Sequence, residues 1–193
     1  MINLEKGQKV TIDKGIKFAK CGLGWDINGY DTGEDFDLDA SVFMLGSGDK
    51  LIGDDGLIFY NNPEHGSHSI KHSGDNRTGA GEGDDESIYI DFDKIPSNVE
   101  KLAFVVTIHK AAERKQNFGM VNNAFIRLLS TNSFGANSGT EEIRFDLSED
   151  YSTETAMLVA EIYKHNGEWK FAAKGEGYKD GLEGFVRKYG GNC

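Results

Sequence analysis

The chain has 193 residues, a formal net charge of −11 and 38% hydrophobic residues, which is typical of a folded protein with a sizeable core. No apolar run is long enough to span a bilayer, the start MINLEKGQKV lacks the apolar core of a signal peptide, and clusters of Lys and Arg are absent. We therefore expect one cytoplasmic domain over residues 1–193, with no transmembrane segment and no direct contact with nucleic acid.

Short runs with period-two alternation, rich in β-branched and aromatic residues, follow one another along the chain and predict strands. The candidates are residues 9–12, 16–23, 37–45, 57–60, 69–73, 87–92, 101–109, 124–130, 142–148, 156–165 and 169–178. Between the last two, Asn166 and Gly167 favour the positive φ angles of a type I′ turn, so we expect a hairpin there.

The C-terminal residues 180–190 change to helical spacing, which is followed by Leu182, Phe185, Val186 and Tyr189. Asp180 is a candidate N-cap and Gly190 a candidate stop. Many short strands without repeating strand–helix units predict an all-β fold, a two-sheet antiparallel β-sandwich with a short C-terminal helix that covers an edge or a face of a sheet.

The acidic excess is concentrated in residues 31–39 and 75–93, where Arg77 is the only base, and acids and bases balance elsewhere. Asp35, Asp37 and Asp39 alternate at the start of a predicted strand and would share one face. At about 6 Å, two such charges repel by roughly 0.7 kcal/mol in water and nearly 3 kcal/mol at an effective dielectric of 20. The segments are therefore either solvated faces or a site for a cation.

The second segment interleaves oxygen donors with glycines that allow carbonyl groups to turn inward. The side-chain donors are Asp75, Asn76, Thr78, Asp84, Asp85 and Glu86. Calcium takes six to eight such oxygen ligands, whereas magnesium keeps more water, so calcium is the first choice and magnesium the alternative. Asp26 is either a further ligand or a turn residue.

Several familiar cation and phosphate motifs do not fit the sequence. An EF-hand would need Gly after Asp39 and Glu at position 46, but Ala40 and Gly46 stand there. No Lys-Ser or Lys-Thr follows the glycines, which excludes a P-loop. Zinc is disfavoured because the acidic segments lack Cys, and we expect His65, His68 and His72 to be polar strand surface.

Four long stretches closely resemble the TerD family of bacterial tellurite-resistance and general stress proteins, in the order and spacing of their residues. They are GLGWDINGYDTGEDFDLDASVFML, HSGDNRTGAGEGDDE, KLAFVVTIHKAAERKQNFGMVNNAFIRL and YSTETAMLVAEIYKHNGEWKFAAKGEGY. The resemblance covers nearly the entire chain. It implies a cytoplasmic, calcium-binding and non-catalytic sensor or scaffold that works with protein partners, including a membrane protein of the tellurite-resistance system.

The resemblance also implies two calcium ions close together and assigns their ligands to residues of both acidic segments. The implied positions are Asp35, Asp37, Asp39, Asp75, Asn76, Arg77, Gly81, Gly83, Asp84, Asp85 and Glu86, with Arg77 and the glycines contributing backbone carbonyls. The alternatives are a metal-dependent protein that binds a phosphate ligand and a hydrolase with His72 as its base. Direct capture of tellurite by thiols is disfavoured, because Cys21 and Cys193 are distant in sequence.

Overall fold

The strands begin and end close to the predicted positions in the computed structural model, which describes residues 1–27, 37–74, 83–147 and 153–192. The strands are β1 (Ile2–Leu4), β2 (Lys9–Thr11), β3 (Phe18–Ile27), β4 (Leu38–Gly46), β5 (Lys50–Leu51), β6 (Leu57–Ile58), β7 (Ile70–His72), β8 (Glu86–Asp91), β9 (Lys101–Ile108), β10 (Val121–Thr131), β11 (Thr140–Asp146), β12 (Ala156–His165) and β13 (Glu168–Tyr178). The helices are α1 (Ala111–Arg114) and α2 (Gly181–Lys188).

The described strands form two sheets that face each other across one apolar core. The first sheet has the order β1-β11-β10-β3-β8-β7, and the second has the order β2-β13-β12-β9-β4-β5, with β6 also paired to β4. All described pairs are antiparallel except β1 with β11. The predicted all-β antiparallel sandwich is thus confirmed, with one parallel pair at an edge.

Strand β4 is buried on both faces, which explains why its sequence becomes a continuous apolar run. Val42 and Met44 belong to the core between the sheets. Phe43 and Leu45 point the other way and pack under α2, where the rings of Phe43 and Tyr189 are 5.0 Å apart. The C-terminal helix therefore covers a face of the second sheet.

The predicted turns and the predicted N-cap position of the C-terminal helix are confirmed. Asn166 and Gly167 both have positive φ, as a type I′ turn requires, and Gly190 ends α2 with a φ of 74°. Asp180 stands at the N-cap position, but its side chain accepts no capping hydrogen bond; its backbone carbonyl accepts from Gly184 N instead. Asp180 therefore occupies the predicted position, and main-chain bonding begins this helix.

The segment before β3 contributes to both sheets in a way that the sequence did not indicate. Strand β1 pairs in parallel with β11 at the edge of the first sheet, and β2 pairs with β13 at the edge of the second. No helix in the described ranges is long and apolar enough to cross a membrane.

Candidate metal centre

The described ends of the two acidic segments lie beside each other where β4 and β8 begin. Glu86, the first residue of β8, accepts a 2.6 Å hydrogen bond through Oε2 from the backbone N–H of Ala40 in β4. His72, at the end of β7, places Nε2 3.2 Å from the carbonyl oxygen of the same Ala40. Strands that follow residues 28–36 and residues 75–82 are therefore joined at one end of the sandwich.

This junction closes an open strand edge. Strand β6 pairs with β4 at Val42 and Phe43 but does not extend to Ala40. The N–H and C=O groups of Ala40 have no strand partner on this side, and leaving them buried and unpaired would cost free energy. The side chain of Glu86 accepts from the N–H, and that of His72 donates to the C=O. The side chain of Glu86 is fully buried, so its role in holding β4 is a structural one.

The geometry around His72 identifies the tautomer of this ring. Its Nδ1 accepts a hydrogen bond from Gly74 N at 3.0 Å, so Nε2 carries the hydrogen that faces Ala40 O and Glu86 Oε2. Of the three neighbouring histidines, His65 and His72 are buried and His68 is exposed. The expectation that all three form polar strand surface is therefore wrong for two of them, because hydrogen bonds to neighbouring polar groups allow these rings to be buried.

Asp84 lies on the outer face of the first sheet, opposite to Glu86. Glu86 pairs with the core residue Leu23, whereas the Asp84 carboxylate covers Gly22 so closely that an added Cβ would overlap its Cγ. A bend before β8 separates the two side chains. The structure thus places two of the predicted ligands, two positions apart, on different faces.

Two cations hold the Asp84 carboxylate in this buried position. Lys20 Nζ lies 2.8 Å from Oδ2, and Arg127 Nε donates to Oδ1 at 2.7 Å. Only 2% of the Asp84 side chain is exposed, so these contacts supply the compensation that a buried charge requires. The contact with Asp84 is also the first cause of the raised pKa of Arg127.

Asp85 faces a different environment from its neighbours. Its Oδ2 accepts a 2.9 Å hydrogen bond from Trp25 N, and its own N–H donates to Leu23 O. Burial raises the pKa of the Asp85 carboxyl, and the nearby acids, Asp26 first among them, raise it further, while the Trp25 N–H opposes the shift. A cation close to this group would relieve the repulsion between the carboxylates.

Asp37 and Asp39 stand at the entry to β4. The Asp37 carbonyl accepts a hydrogen bond from His109 N at 2.8 Å, and His109 Nδ1 is 3.7 Å from Asp39 Oδ2. Because β4 begins at Leu38, Asp37 precedes the strand, and the predicted alternating row is limited to Asp39 within the described residues. Asp35 lies outside the described residues.

Of the remaining predicted ligand positions, one is described by the structure and four are not. Gly83 is described, with a φ of 111° that favours glycine. Asp75, Asn76, Arg77 and Gly81 lie outside the described residues. In the ranges that the structure describes, no three His, Cys, Asp or Glu side chains are grouped closely enough to hold a metal ion.

Comparison with known proteins identifies the family of this chain. The TerD domain family matches residues 1–189. The chain belongs to the TerD family. It is 52% identical to tellurium resistance protein TerD of Serratia marcescens over 195 residues, which cover 100% of this chain and 98% of that protein. It is 50% identical to general stress protein 16U of Bacillus subtilis (strain 168) over 192 residues, covering 98% and 97%.

Solved structures support the TerD fold. A homologue of the telluride resistance protein TerD from Streptomyces coelicolor A3(2) superposes with a TM-score of 0.68 at 18% identity, over 92% of this chain and 100% of that one. At this identity the likeness concerns the fold alone.

The sequence did not predict the two basic side chains, Lys20 and Arg127, that hold the Asp84 carboxylate. Lys20 and Arg127 are separated from Asp84 by long stretches of chain, and no local pattern connects them. The alternating glycines of GLGWD were a usable signal, because glycine within a strand often marks the close approach of another group. Gly22 admits the Asp84 carboxylate, and Gly24 admits the Phe125 ring, which a Cβ at that position would overlap.

Proposed function

We propose that this TerD-family protein is a cytoplasmic, non-catalytic calcium-binding sensor or scaffold of a bacterial response to tellurite and other chemical stress. The acidic segments 31–39 and 75–86 would together hold two calcium ions. The proposal includes protein partners, among them a membrane protein of the tellurite-resistance system, as the family resemblance implies. The names of the relatives support the link to resistance and stress.

The single observation that carries the proposal is the hydrogen bond between Glu86 and Ala40. It joins the strands that follow the two acidic segments, so both segments enter the sandwich at the same end. This supports the proposal that donors from both segments share an ion. Had the two strands begun at opposite ends of the sandwich, no shared ion could be proposed. The hard oxygen donors of both segments match the ligand preference of calcium.

The described contacts divide the acids into two groups with different roles. Asp84 is held by Lys20 and Arg127, and we assign it to the support of the first sheet. Glu86 holds β4. The proposed ligands among the described residues are therefore Asp37, Asp39 and Asp85, joined by Asp35, Asp75 and Asn76 from outside the described residues.

Bound calcium would supply positive charge that cancels the repulsion between these carboxylates. The chain itself orients them: the Trp25 N–H fixes Asp85, and His109 N–H fixes the backbone at Asp37. At a calcium concentration a hundredfold above the dissociation constant, binding would stabilise the folded state by about 2.7 kcal/mol. Such stabilisation is expected whether calcium regulates the protein or only holds the segments together.

The hydrolase alternative gains no support from His72. Both of its ring nitrogens are engaged within the fold, and 2% of the residue is exposed. A general base must reach the proton that it abstracts, and a buried ring that holds two backbone groups is poorly placed for this.

Isothermal titration of the full chain, stripped of metal with a chelator, tests the proposal. We expect saturable calcium binding that is tighter than magnesium binding. Asp85→Asn should lower calcium affinity at least tenfold, while the exposed Asp54→Asn control should leave it unchanged. Asp84→Asn should reduce the stability of the metal-free protein and retain calcium affinity within a few-fold. Equal and weak binding of calcium and magnesium would contradict the proposal.

A further inference from the structure

An open cavity of about 480 Å³ lies on the outer side of the first sheet, next to the start of β8. Its lining includes Arg127 and Arg144 together with Asp26 and Asp85. A cavity lined by both guanidinium groups and carboxylates is suited to a ligand that meets both kinds of charge. Its volume lies within the range that small-molecule sites occupy.

The two arginines of the lining are held in place by the sheet and by an aromatic ring. Arg127 and Arg144 stand directly opposite each other in the β10–β11 register. The Arg144 guanidinium carbon lies 4.0 Å from the centre of the Phe125 ring, and that of Arg127 lies 5.7 Å from it. Such stacking fixes the plane of a guanidinium and so prepares it to bind an anion.

Both guanidinium groups keep N–H donors after their described bonds are counted. Arg144 donates from Nε to Asp146 at 2.8 Å. Arg127 donates from Nε to Asp84 and from Nη1 to Glu141. An arginine carries five N–H donors, so each side chain retains some for a ligand in the cavity.

The Trp25 indole does not add a donor to this cavity. Trp25 alternates with Asp26 along β3 and belongs to the core cluster between the sheets, and its backbone N–H is bonded to Asp85. The donors that favour an oxyanion are therefore the two guanidinium groups.

The carboxylates in the lining make this binding depend on a cation. Asp26 accepts a hydrogen bond from Asn123 Nδ2 at 2.8 Å, and Asp85 is a proposed calcium ligand. Without a cation, both carboxylates would repel an entering anion. Calcium held by Asp85 would offset this repulsion, and each ligand would then strengthen the binding of the other by the same factor.

We propose that this cavity binds a phosphoryl group, as inorganic phosphate or as part of a larger phosphomonoester, against Arg144 and Arg127, and that it does so only in the calcium-loaded protein. The inference rests on the proposed calcium function. It adds a second ligand, its chemical class and the residues that recognise it. A guanidinium pair suits phosphate because each group can donate two parallel N–H bonds.

The test is a pair of titrations on the full chain. The first adds calcium alone in phosphate-free buffer. The second adds inorganic phosphate or phosphoserine, each below the solubility limit of its calcium salt, to protein with and without saturating calcium. We expect binding only with calcium; tighter binding of phosphoserine would identify a phosphomonoester as the fuller ligand, and equal binding would identify the phosphate group alone.

Variants of Arg144 separate recognition from folding. Arg144→Gln should weaken phosphate binding at least tenfold and leave calcium binding in phosphate-free buffer unchanged. Arg144→Lys keeps the charge but loses the planar pair of donors. Its phosphate affinity should therefore lie between those of the parent and Arg144→Gln. The control is Arg187→Gln on α2, where the side chain is exposed and pairs with Glu183.

The possible failures are distinguishable. Calcium binding without any phosphate binding would overturn the inference and leave the proposed function standing. Phosphate binding that is equal with and without calcium, or that survives Arg144→Gln at full strength, would also overturn it. Absence of calcium binding in the first titration would overturn the proposed function and this inference with it.

Discussion

The carboxylate of Glu86 accepts a 2.6 Å hydrogen bond from the backbone N–H of Ala40, and this contact connects the two sheets where the acidic segments enter them. His72 completes the junction with Nε2 3.3 Å from the same carboxylate oxygen. An interaction of this kind depends on an acceptor oxygen more than on charge. It can therefore be tested separately from calcium binding.

We predict that Glu86→Ala lowers the free energy of unfolding by about 3 kcal/mol in the presence of a chelator, because the buried Ala40 N–H loses its acceptor and His72 Nε2 loses one of its two. Glu86→Gln should lower the free energy of unfolding by clearly less, since its amide oxygen can still accept the hydrogen bond from Ala40 N. Urea denaturation measures both. Glu113→Ala, at an exposed side chain, is the control and should change little. A loss for Glu86→Ala no larger than the control would show that the junction contributes nothing to stability.

A methyl group at position 22 should displace the buried Asp84 carboxylate. The added Cβ would overlap Asp84 Cγ and would separate the carboxylate from Lys20 and Arg127. We expect Gly22→Ala to cost about 3 kcal/mol, the magnitude typical of breaking a buried ion pair. Thermal and urea unfolding provide the measurement.

Gly66→Ala is the matched control for this change. The nearest atom to its added Cβ would be Asp55 Oδ2 at 3.8 Å, which is ordinary contact, and Gly66 is exposed. Its stability should stay within about 0.5 kcal/mol of the parent. If the two alanine variants were equally stable, the close packing of Asp84 on Gly22 would be refuted.

The metal-free protein should lose stability as the Asp85 carboxyl ionises. Because its pKa is raised in the folded state, its contribution is fully present below the ordinary aspartate pKa of about 3.9 and is lost as the pH rises through the folded value. In chelator, Asp85→Asn should therefore be more stable than the parent at neutral pH. The amide oxygen can still accept from Trp25 N.

The pH dependence of urea unfolding checks this sign. The advantage of Asp85→Asn should disappear in acid and should also shrink when calcium is added to both proteins, because calcium is expected to bind the aspartate form more tightly and so to stabilise it more. Asp54→Asn should show no such dependence. An asparagine variant that is less stable than the parent at every pH would argue that Asp85 is favourably placed without calcium.

Cys21 should be unreactive in the folded protein. The side chain is fully buried, and burial raises the pKa of its thiol well above the ordinary range. In a Cys193→Ser background, a disulfide reagent should label Cys21 at least a hundredfold more slowly in native buffer than in urea. Rapid native labelling would restore thiol capture of tellurite as a candidate mechanism.

Local sequence patterns predicted most of the fold because they depend on neighbouring residues. Alternating apolar residues located strands such as β9 and β12 within a residue or two. The short β1 and β5 were missed, whereas the equally short β2, β6 and β7 were found because each lies inside a longer predicted run, at 9–12, 57–60 and 69–73. The parallel pairing of β1 also depends on a distant strand.

The candidate site was less predictable, because its decisive contacts join residues far apart in sequence. Spacing alone suggested that Asp84, Asp85 and Glu86 act as one ligand set. A bend before β8 sends Asp84 to the outer face and Glu86 to the core face, and Lys20 and Arg127 then engage Asp84. The aspartate row before β4 was placed on one strand face, but the strand begins only at Leu38.

Strands β1 and β2 pair with opposite sheets while standing close together in the chain. Sliding of one sheet over the other would strain the short connection between them and break edge pairing. A ligand that binds where β4 and β8 begin would therefore leave the body of the sandwich in place. In the proposed function, a calcium signal would therefore be a local change of surface at that end, where we expect a partner to bind.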